Sequence, residues 1–223
     1  MTITALPSRP CFLRDFDHRY IWEPTGEQMN VSVTGVVNHD KPPYSGPAEA
    51  SWRGTHGHRC MEALATGSEM PDPISPEGID CSAWFKQLQG MTFWDQIDVL
   101  ACEYTMVSRR KSLGGQLDLL CRYTSPTTGK TKTLLVDLKT KGASWSSASK
   151  DDVFGYKAQA GGYSMLLDSG DDAHGGCWVD ECRTLVVTPD RVKWLPAMTP
   201  QSCSDAWLEC WERYSAYLIA NPF

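Results

Sequence analysis

No stretch of this 223-residue chain approaches the roughly 18 uninterrupted apolar residues that would mark a membrane-spanning helix. No membrane partner is therefore expected. The opening residues, MTITALPSRPCFLRDFDHRY, lack the basic-then-apolar pattern of a secretory signal. Nine cysteines are present, yet none stands in a CxxC knuckle, so a zinc ribbon is not expected. The count is odd, and most fall in helix- or strand-like runs, for example Cys60, Cys102 and Cys121. That pattern reads as buried reduced thiols in a cytoplasmic protein rather than a disulfide framework. Cys177, Cys182, Cys203 and Cys210 make at most a loose quartet. An excess of positive charge is also missing: 21 Lys and Arg stand against 27 Asp and Glu, for a net charge of −6. This excludes a uniformly basic nucleic-acid coat. It leaves room for an enzyme whose carboxylates hold metal, with local cations at Arg109-Arg110-Lys111 and Lys139–Lys141. Repeats and low-complexity segments are absent.

What is present is the length and composition of one substantial domain, 41% hydrophobic and 22% charged. Residues 1–30, with prolines and alternating charge, read as an irregular arm. NVSVTGVV then reads as a short β-branched strand, and KPPYSGP as a loop. Helical patterns are expected over 48–65, 82–89, 149–167 and 201–220. Strands are expected over 99–108, 113–123, 131–138, 184–188 and 192–195. The order helix, three strands, helix, two strands, helix implies an α/β fold with a mixed central sheet flanked by helices.

One stretch stands out: GGQLDLLCRYTSPTTGKTKTLLVDLKTKG, residues 114–142. Two apolar strands carry Asp118, Asp137 and Lys139. Residues two apart share a strand face, so Asp137 and Lys139 point the same way. If the two strands pair through their hairpin, Asp118 and Asp137 come together. Close carboxylates repel unless a cation sits between them, and Mg²⁺ or Mn²⁺ suits carboxylate oxygens. Lys139 beside that cation completes the groups needed to hydrolyse a phosphodiester. An ion pair kept for stability alone is a poor explanation, because burying three charges costs several kcal/mol. The TTGKT segment is not a phosphate-binding loop, since Thr124 occupies the first glycine position and the segment joins two strands.

At these residues the chain resembles the PD-(D/E)XK nucleases, whose motif is an aspartate followed one strand later by acid-x-lysine. RGTHGHRCMEAL resembles the Gly-x-x-x-His helix of the RecB-like exonuclease branch, with Gly54 and His58. ACEYTMVSRRKSLGGQLDLL resembles its Glu strand leading into the Gly-x-x-Asp strand, with Glu103 in the acid position. YKAQAGGYSMLL resembles its Gln-x-x-x-Tyr helix, with Gln159 and Tyr163. NVSVTGVV is similar to the Ser-Val-Thr element of mitochondrial genome maintenance exonucleases and their phage and bacterial relatives. The resemblance covers about residues 30–170 and places residues 31–223 in one nuclease domain with a restriction-endonuclease-like core.

The resemblance implies cleavage of DNA, single-stranded or with free ends, in recombination, repair or DNA degradation. It implies one or two Mg²⁺ or Mn²⁺ ions held by His58, Asp118, Asp137 and the backbone carbonyl of Leu138. Lys139 orients the attacking water, Glu103 steadies the metal cluster, and Gln159 and Tyr163 brace the lysine. An endonuclease on the same site, or a DNA-binding module without catalysis, are the alternatives. Some relatives hold an iron–sulfur cluster through one early and three late cysteines. Cys11 suits the first role, but the late cysteines lack the spacing, so no cluster is expected. The expected setting is the cytoplasm of a bacterial or phage-infected cell, with a recombination or replication protein as a possible partner.

Residue patterns add to this. Gly54 and His58 lie on one helix face, where a glycine would let another segment approach closely. His56 is off that face and is expected to be exposed. Tyr156, Gln159 and Tyr163 also share a face. Ser32 and Thr34 suit either phosphate binding or simple strand alternation. Arg53, Arg109, Arg110, Lys141 and Lys150 are candidates to line a DNA path. Trp145 suits either stacking on a base or packing into the core.

Overall fold

The computed structural model describes residues 5–14, 17–42, 46–169 and 178–221. Three short strands come first: β1 (Cys11–Arg14), β2 (Arg19–Trp22) and β3 (Glu27–Gln28). After β4 (Val31–Ser32) come helices α1 (Val33–Val37), α2 (Ala48–Thr66) and α3 (Ser82–Gln89). Strands β5 (Ile97–Ser108), β6 (Leu113–Thr124) and β7 (Thr131–Thr140) follow. The chain continues with α4 (Lys150–Ser169), β8 (Glu181–Val187), β9 (Val192–Trp194) and α5 (Pro200–Ala220). The expected α/β class with a mixed sheet flanked by helices is what forms.

The main sheet runs β4-β6-β7-β8-β9, with β5 on the other edge of β6. β4 is parallel to β6 and β7 is parallel to β8, whereas β6 is antiparallel to both β5 and β7. Helix α4 makes the crossover between β7 and β8, as a parallel pair requires. On one face α1, α4 and α5 cover a core built around Leu117, Leu120, Leu135, Leu166 and Trp207. On the other, α2 and α3 cover Leu119, Cys121, Leu134, Val136 and Leu138. Helices α4 and α5 lie very close at Gly161, where a Cβ would fall 2.1 Å from the Cys203 carbonyl oxygen. Cys182 and Cys203 are buried free thiols; Cys177 lies outside the described residues. Among the described residues no helix is long and apolar enough to cross a membrane.

Two expectations change. The arm expected to be irregular contains an antiparallel sheet, β1-β2-β3. Its strands are two to four residues long, too short for a periodic signal, and they are held by packing: Cys11, Trp22 and Met29 cluster with Val107 of β5. The buried Arg9 guanidinium donates to the carbonyls of Leu166 and Leu167 at 2.9 and 3.1 Å, tying the same segment to α4. NVSVTGVV is a strand only at Val31–Ser32. There the Ser32 hydroxyl accepts a hydrogen bond from the Gly35 N–H and starts a helix, overriding the β-branched composition. Val33 and Val36, three apart, are its fully buried face. KPPYSGP was expected to be a loop, but residues 43–45 lie outside the described residues.

The arrangement of β6 sets up the site. One edge of β6 pairs with β4 at Leu113 and Gly114, and with β7 from Leu119 to Thr124. The same edge carries no ladder between Gly114 and Leu119. Asp118 stands in that opening, and one further step along the β6–β7 register sets it opposite Asp137.

Candidate functional site

Helix α2 delivers His58 to the opening. It approaches β7 closely at Gly57, where a Cβ would lie 2.6 Å from Thr140 Cγ2. Gly54, expected to fill this role, has open space at its Cβ position. The close approach therefore falls three residues further along the helix, on the side that meets the sheet. His56, expected to be exposed, is buried and stacks on Trp52. The apolar face of α2 is wide enough to take it in.

His58 Nδ1 lies 3.3 Å from Glu103 Oε1 and 3.4 Å from Asp118 Oδ1. One ligand atom from each of these three residues lies within 4.8 Å of the others. Glu103 reaches the group through an unusual backbone. The β5–β6 register pairs Cys102 with Leu119 and Tyr104 with Leu117, leaving Glu103 across from Asp118. At that step Glu103 has φ +45°, in the left-handed region that non-glycine residues avoid. Side-chain alternation along β6 changes phase at the same place: Leu117 packs in the α4 core and Leu119 in the α2 core.

The second part of the site is a chain of hydrogen bonds. Buried Asp118 accepts the Leu138 N–H through Oδ2 at 2.7 Å. Lys139 Nζ donates to Asp137 Oδ1 at 2.8 Å and to Gln159 Oε1 at 3.1 Å. Gln159 Nε2 in turn donates to the Tyr163 hydroxyl at 2.9 Å. Gln159 and Tyr163 are four apart on α4, so one helix face presents both. The Tyr156 ring lies under the ammonium, 5.6 Å from its centroid. Asp137 Oδ2 is buried and has no hydrogen-bond partner among the described residues.

Crowding of carboxylates shapes the electrostatics. Burial raises the Asp118 pKa more than His58 and Lys139 lower it. Burial likewise lifts Asp137 to about 6, against the pull of Lys139 and with a further push from Asp118. For His58, burial opposes the charge, but Asp118 and then Glu103 outweigh it and raise the imidazole to about 9. Lys139 is raised too, since Asp137 and Asp118 overcome its burial. It stays protonated at neutral pH. The donor set fits a hard divalent cation: two carboxylate oxygens and an imidazole nitrogen converge, and a third carboxylate nearby has an oxygen without a partner.

The structure thus brings together His58, Glu103 and Asp118, and separately Asp137, Lys139, Gln159 and Tyr163. Glu103 joins the metal-capable group directly, while Asp137 is engaged by Lys139. At Leu138, expected to offer its carbonyl, the contact seen is the N–H to Asp118.

The residues singled out for DNA are mostly tied to the protein. Ser32 caps α1 and its hydroxyl lies 3.0 Å from that of Thr34. Arg53 pairs with Glu49 and sits over the Trp84 ring. Arg109 pairs with Glu27 at 2.7 Å and lies over Trp22. The Lys141 carbonyl accepts the Trp84 indole N–H at 2.8 Å. Arg110 lies in the short 3₁₀ turn between β5 and β6, and Lys150 is exposed at the start of α4. Trp145 is partly buried against Tyr156, Val186 and Leu195.

Tyr20 was missed. It comes from β2, and its ring occupies the space over Gly114, where a Cβ would fall 2.2 Å from its Cγ. Burial, followed by Glu103 and Asp118, raises its hydroxyl to about 12, which places it within the field of the site. The signal was the Gly114-Gly115 pair inside a strand, which marks a close approach.

No protein-family model matches this chain, and no curated protein matches it. Among solved structures, one described as "Crystal structure of SSO0001" aligns at a TM-score of 0.30 and 11% identity. The alignment covers 83% of this chain and 84% of that one. Likeness at this level identifies neither a fold family nor an activity.

Proposed function

We propose that this chain is a divalent-metal-dependent deoxyribonuclease of the PD-(D/E)XK type, in its RecB-like exonuclease branch. The observation that carries the reading is the meeting, at the opening between β6 and β7, of two sets of groups. One is the His58–Glu103–Asp118 trio; the other is the Asp137–Lys139–Gln159–Tyr163 chain.

His58, Glu103 and Asp118 would hold the ion, with Asp137 Oδ2 as a further oxygen. When bound, Mg²⁺ or Mn²⁺ supplies Lewis acidity at a phosphoryl oxygen and offsets developing negative charge. Lys139 has three N–H donors. Two are taken by Asp137 and Gln159, which leaves one to orient a water for in-line attack or to meet charge on the phosphate. Because Lys139 keeps its proton, it acts as donor and not as base. Gln159, held by Tyr163, fixes the direction of that remaining N–H. Glu103 in its left-handed conformation holds one wall of the cluster at the cost of local strain. The substrate is DNA that is single-stranded or has free ends. The free cysteines among the described residues suit a reducing cytoplasm, as in a bacterial or phage-infected cell. A recombination or replication protein is the natural partner for such an activity.

The test is a gel assay with end-labelled linear single-stranded DNA at low salt, with Mg²⁺, Mn²⁺ or chelator. Wild type is run beside Asp137→Ala and Lys139→Ala. Metal-dependent degradation that both variants lose is the expected result. Cleavage of circular single-stranded DNA would instead identify an endonuclease on the same site. A folded wild type that cleaves neither single nor double strands with either metal would reduce the chain to a binding module.

A further inference from the structure

A cleft of about 840 Å³ opens on the α3 side of the sheet, toward the β6–β7 hairpin. It is separate from the metal-capable cluster. Leu134 in its lining shares a strand face with Val136 and Leu138, whereas Asp137 and Lys139 point to the other face. Lys132, also in the lining, is five residues before Asp137, about 17 Å along an extended strand.

Three aromatic side chains line the cleft: Phe93, Tyr123 and Trp194. Phe93 and Tyr123 lie 24° from parallel with centroids 6.1 Å apart, and Trp194 meets Phe93 edge-on at 5.1 Å. The rim is basic in a chain whose net charge is −6. Lys86, Lys130, Lys132 and Arg183 face it, against a single acid, Glu181. Glu181 is buried and binds Lys132 through one oxygen, at 2.6 Å, and Arg183 through the other. That triad fixes two cations in place and still leaves a net positive charge. Lys86 and Lys130 are exposed and belong to none of the ion pairs among the described residues. Thr92, Gln96 and Ser125 add hydrogen-bonding groups to the lining.

We propose that this cleft binds a nucleotide, with the base against the aromatic side chains and the phosphate at Lys86 and Lys130. Aromatic side chains with amide and hydroxyl groups in the same lining suit a nucleobase, which has a π-face and a polar rim. The ammonium groups suit the phosphate. The volume lies in the range of about 300–1,000 Å³ that holds small ligands. The shared chemistry is a base carrying a phosphate, either as a free mononucleotide or as the last residue of a strand. The assignment does not depend on the proposed nuclease activity, because no residue is shared between the two places.

The test is equilibrium dialysis of the whole protein in chelator, so that no strand is cleaved. The probes are labelled deoxyadenosine monophosphate, deoxyadenosine, inorganic phosphate and a short single-stranded oligonucleotide. Deoxyadenosine monophosphate is expected to bind saturably and more tightly than either of its parts. The exposed pair Lys86→Glu with Lys130→Glu is expected to weaken it about tenfold or more. The milder pair Lys86→Gln with Lys130→Gln should weaken it less, and Asp137→Asn should leave it unchanged. Competition by the oligonucleotide at lower concentration assigns the site to a strand end; failure to compete assigns it to the free nucleotide. Absence of saturable binding by both would overturn the proposal. So would binding that the lysine substitutions leave untouched, or inorganic phosphate binding as tightly as the nucleotide.

Discussion

Glu103 and Asp118 face each other across the β5–β6 ladder, at the step where Glu103 turns to φ +45°. A left-handed conformation costs an L-residue roughly 1–2 kcal/mol, and here it places an acid beside His58 and Asp118. Glycine has no such penalty. Glu103→Gly is therefore expected to be more stable than Glu103→Ala by about 1 kcal/mol, while both lose the carboxylate. Urea unfolding of the two variants checks the first statement. Calorimetric Mn²⁺ titration, expected to be weakened in both, checks the second.

Metal binding is expected to raise the melting temperature of wild type, because an ion that binds the folded state alone stabilises it by mass action. His58→Ala and Asp118→Ala should each reduce that rise by most of its size. A scan of melting temperature against Mn²⁺ and Mg²⁺ concentration measures it. An equal rise in wild type and both variants would remove the trio from the metal-binding role.

The pH dependence of the metal-free protein follows from two raised groups. His58 titrates at about 9 in the fold, against an ordinary 6.5. Its contribution is complete below pH 6.5 and is lost as the pH rises through 9. Asp137 titrates at about 6 against an ordinary 3.8, so the fold prefers its protonated form and loses stability between those values as the pH rises. Both slopes have the same sign. Thermal unfolding in chelator should show stability falling as the pH rises through each window. The upper step should be missing in His58→Gln.

Lys139 and Asp137 form a pair whose carboxylate is almost entirely buried. Removing only the lysine leaves the buried carboxylate without its cation, so that it either stays ionised, at a cost of up to about 3–5 kcal/mol, or takes up a proton at a smaller one, and Lys139→Met is expected to destabilise the fold. Adding Asp137→Asn to it should restore part of that loss. A double-mutant cycle in denaturant measures the coupling. Additive losses would show that the two side chains do not depend on each other.

Gly54 and Gly161 separate open helix surface from close packing. Gly54→Ala meets open space within α2 and should stabilise by about 0.5–1 kcal/mol, the helix preference for alanine. Gly161→Ala drives a Cβ into the Cys203 carbonyl and Trp207 of α5 and should cost roughly 1–3 kcal/mol or more. Denaturation midpoints of the two variants test the contrast.

Much of this protein is legible in its residue order. The long elements carry strong periodicity, so α2, α3, β5, β6, β7, α4 and α5 fall close to the expected spans. Asp137 and Lys139 share a face because strand geometry requires it, and Gln159 and Tyr163 do so because helix geometry requires it. The short pieces were not legible. A four-residue strand such as β2 has no pattern of its own, and it exists because Trp22 and Cys11 find Val107. The capped helix at Val33–Val37 lay hidden under a β-branched composition for a similar reason.

Sequence alone determined which chemistry-bearing residues the chain carries and which strand or helix holds each. Tertiary structure decided their company. Glu103 reaches His58 only through a left-handed step in β5, Gly57 rather than Gly54 lets α2 approach the sheet, and Tyr20 arrives from the first thirty residues. The physical reason is common to all three. Periodicity records which way a side chain points along its own element, whereas the distance between elements is set by the few places where packing lets them touch.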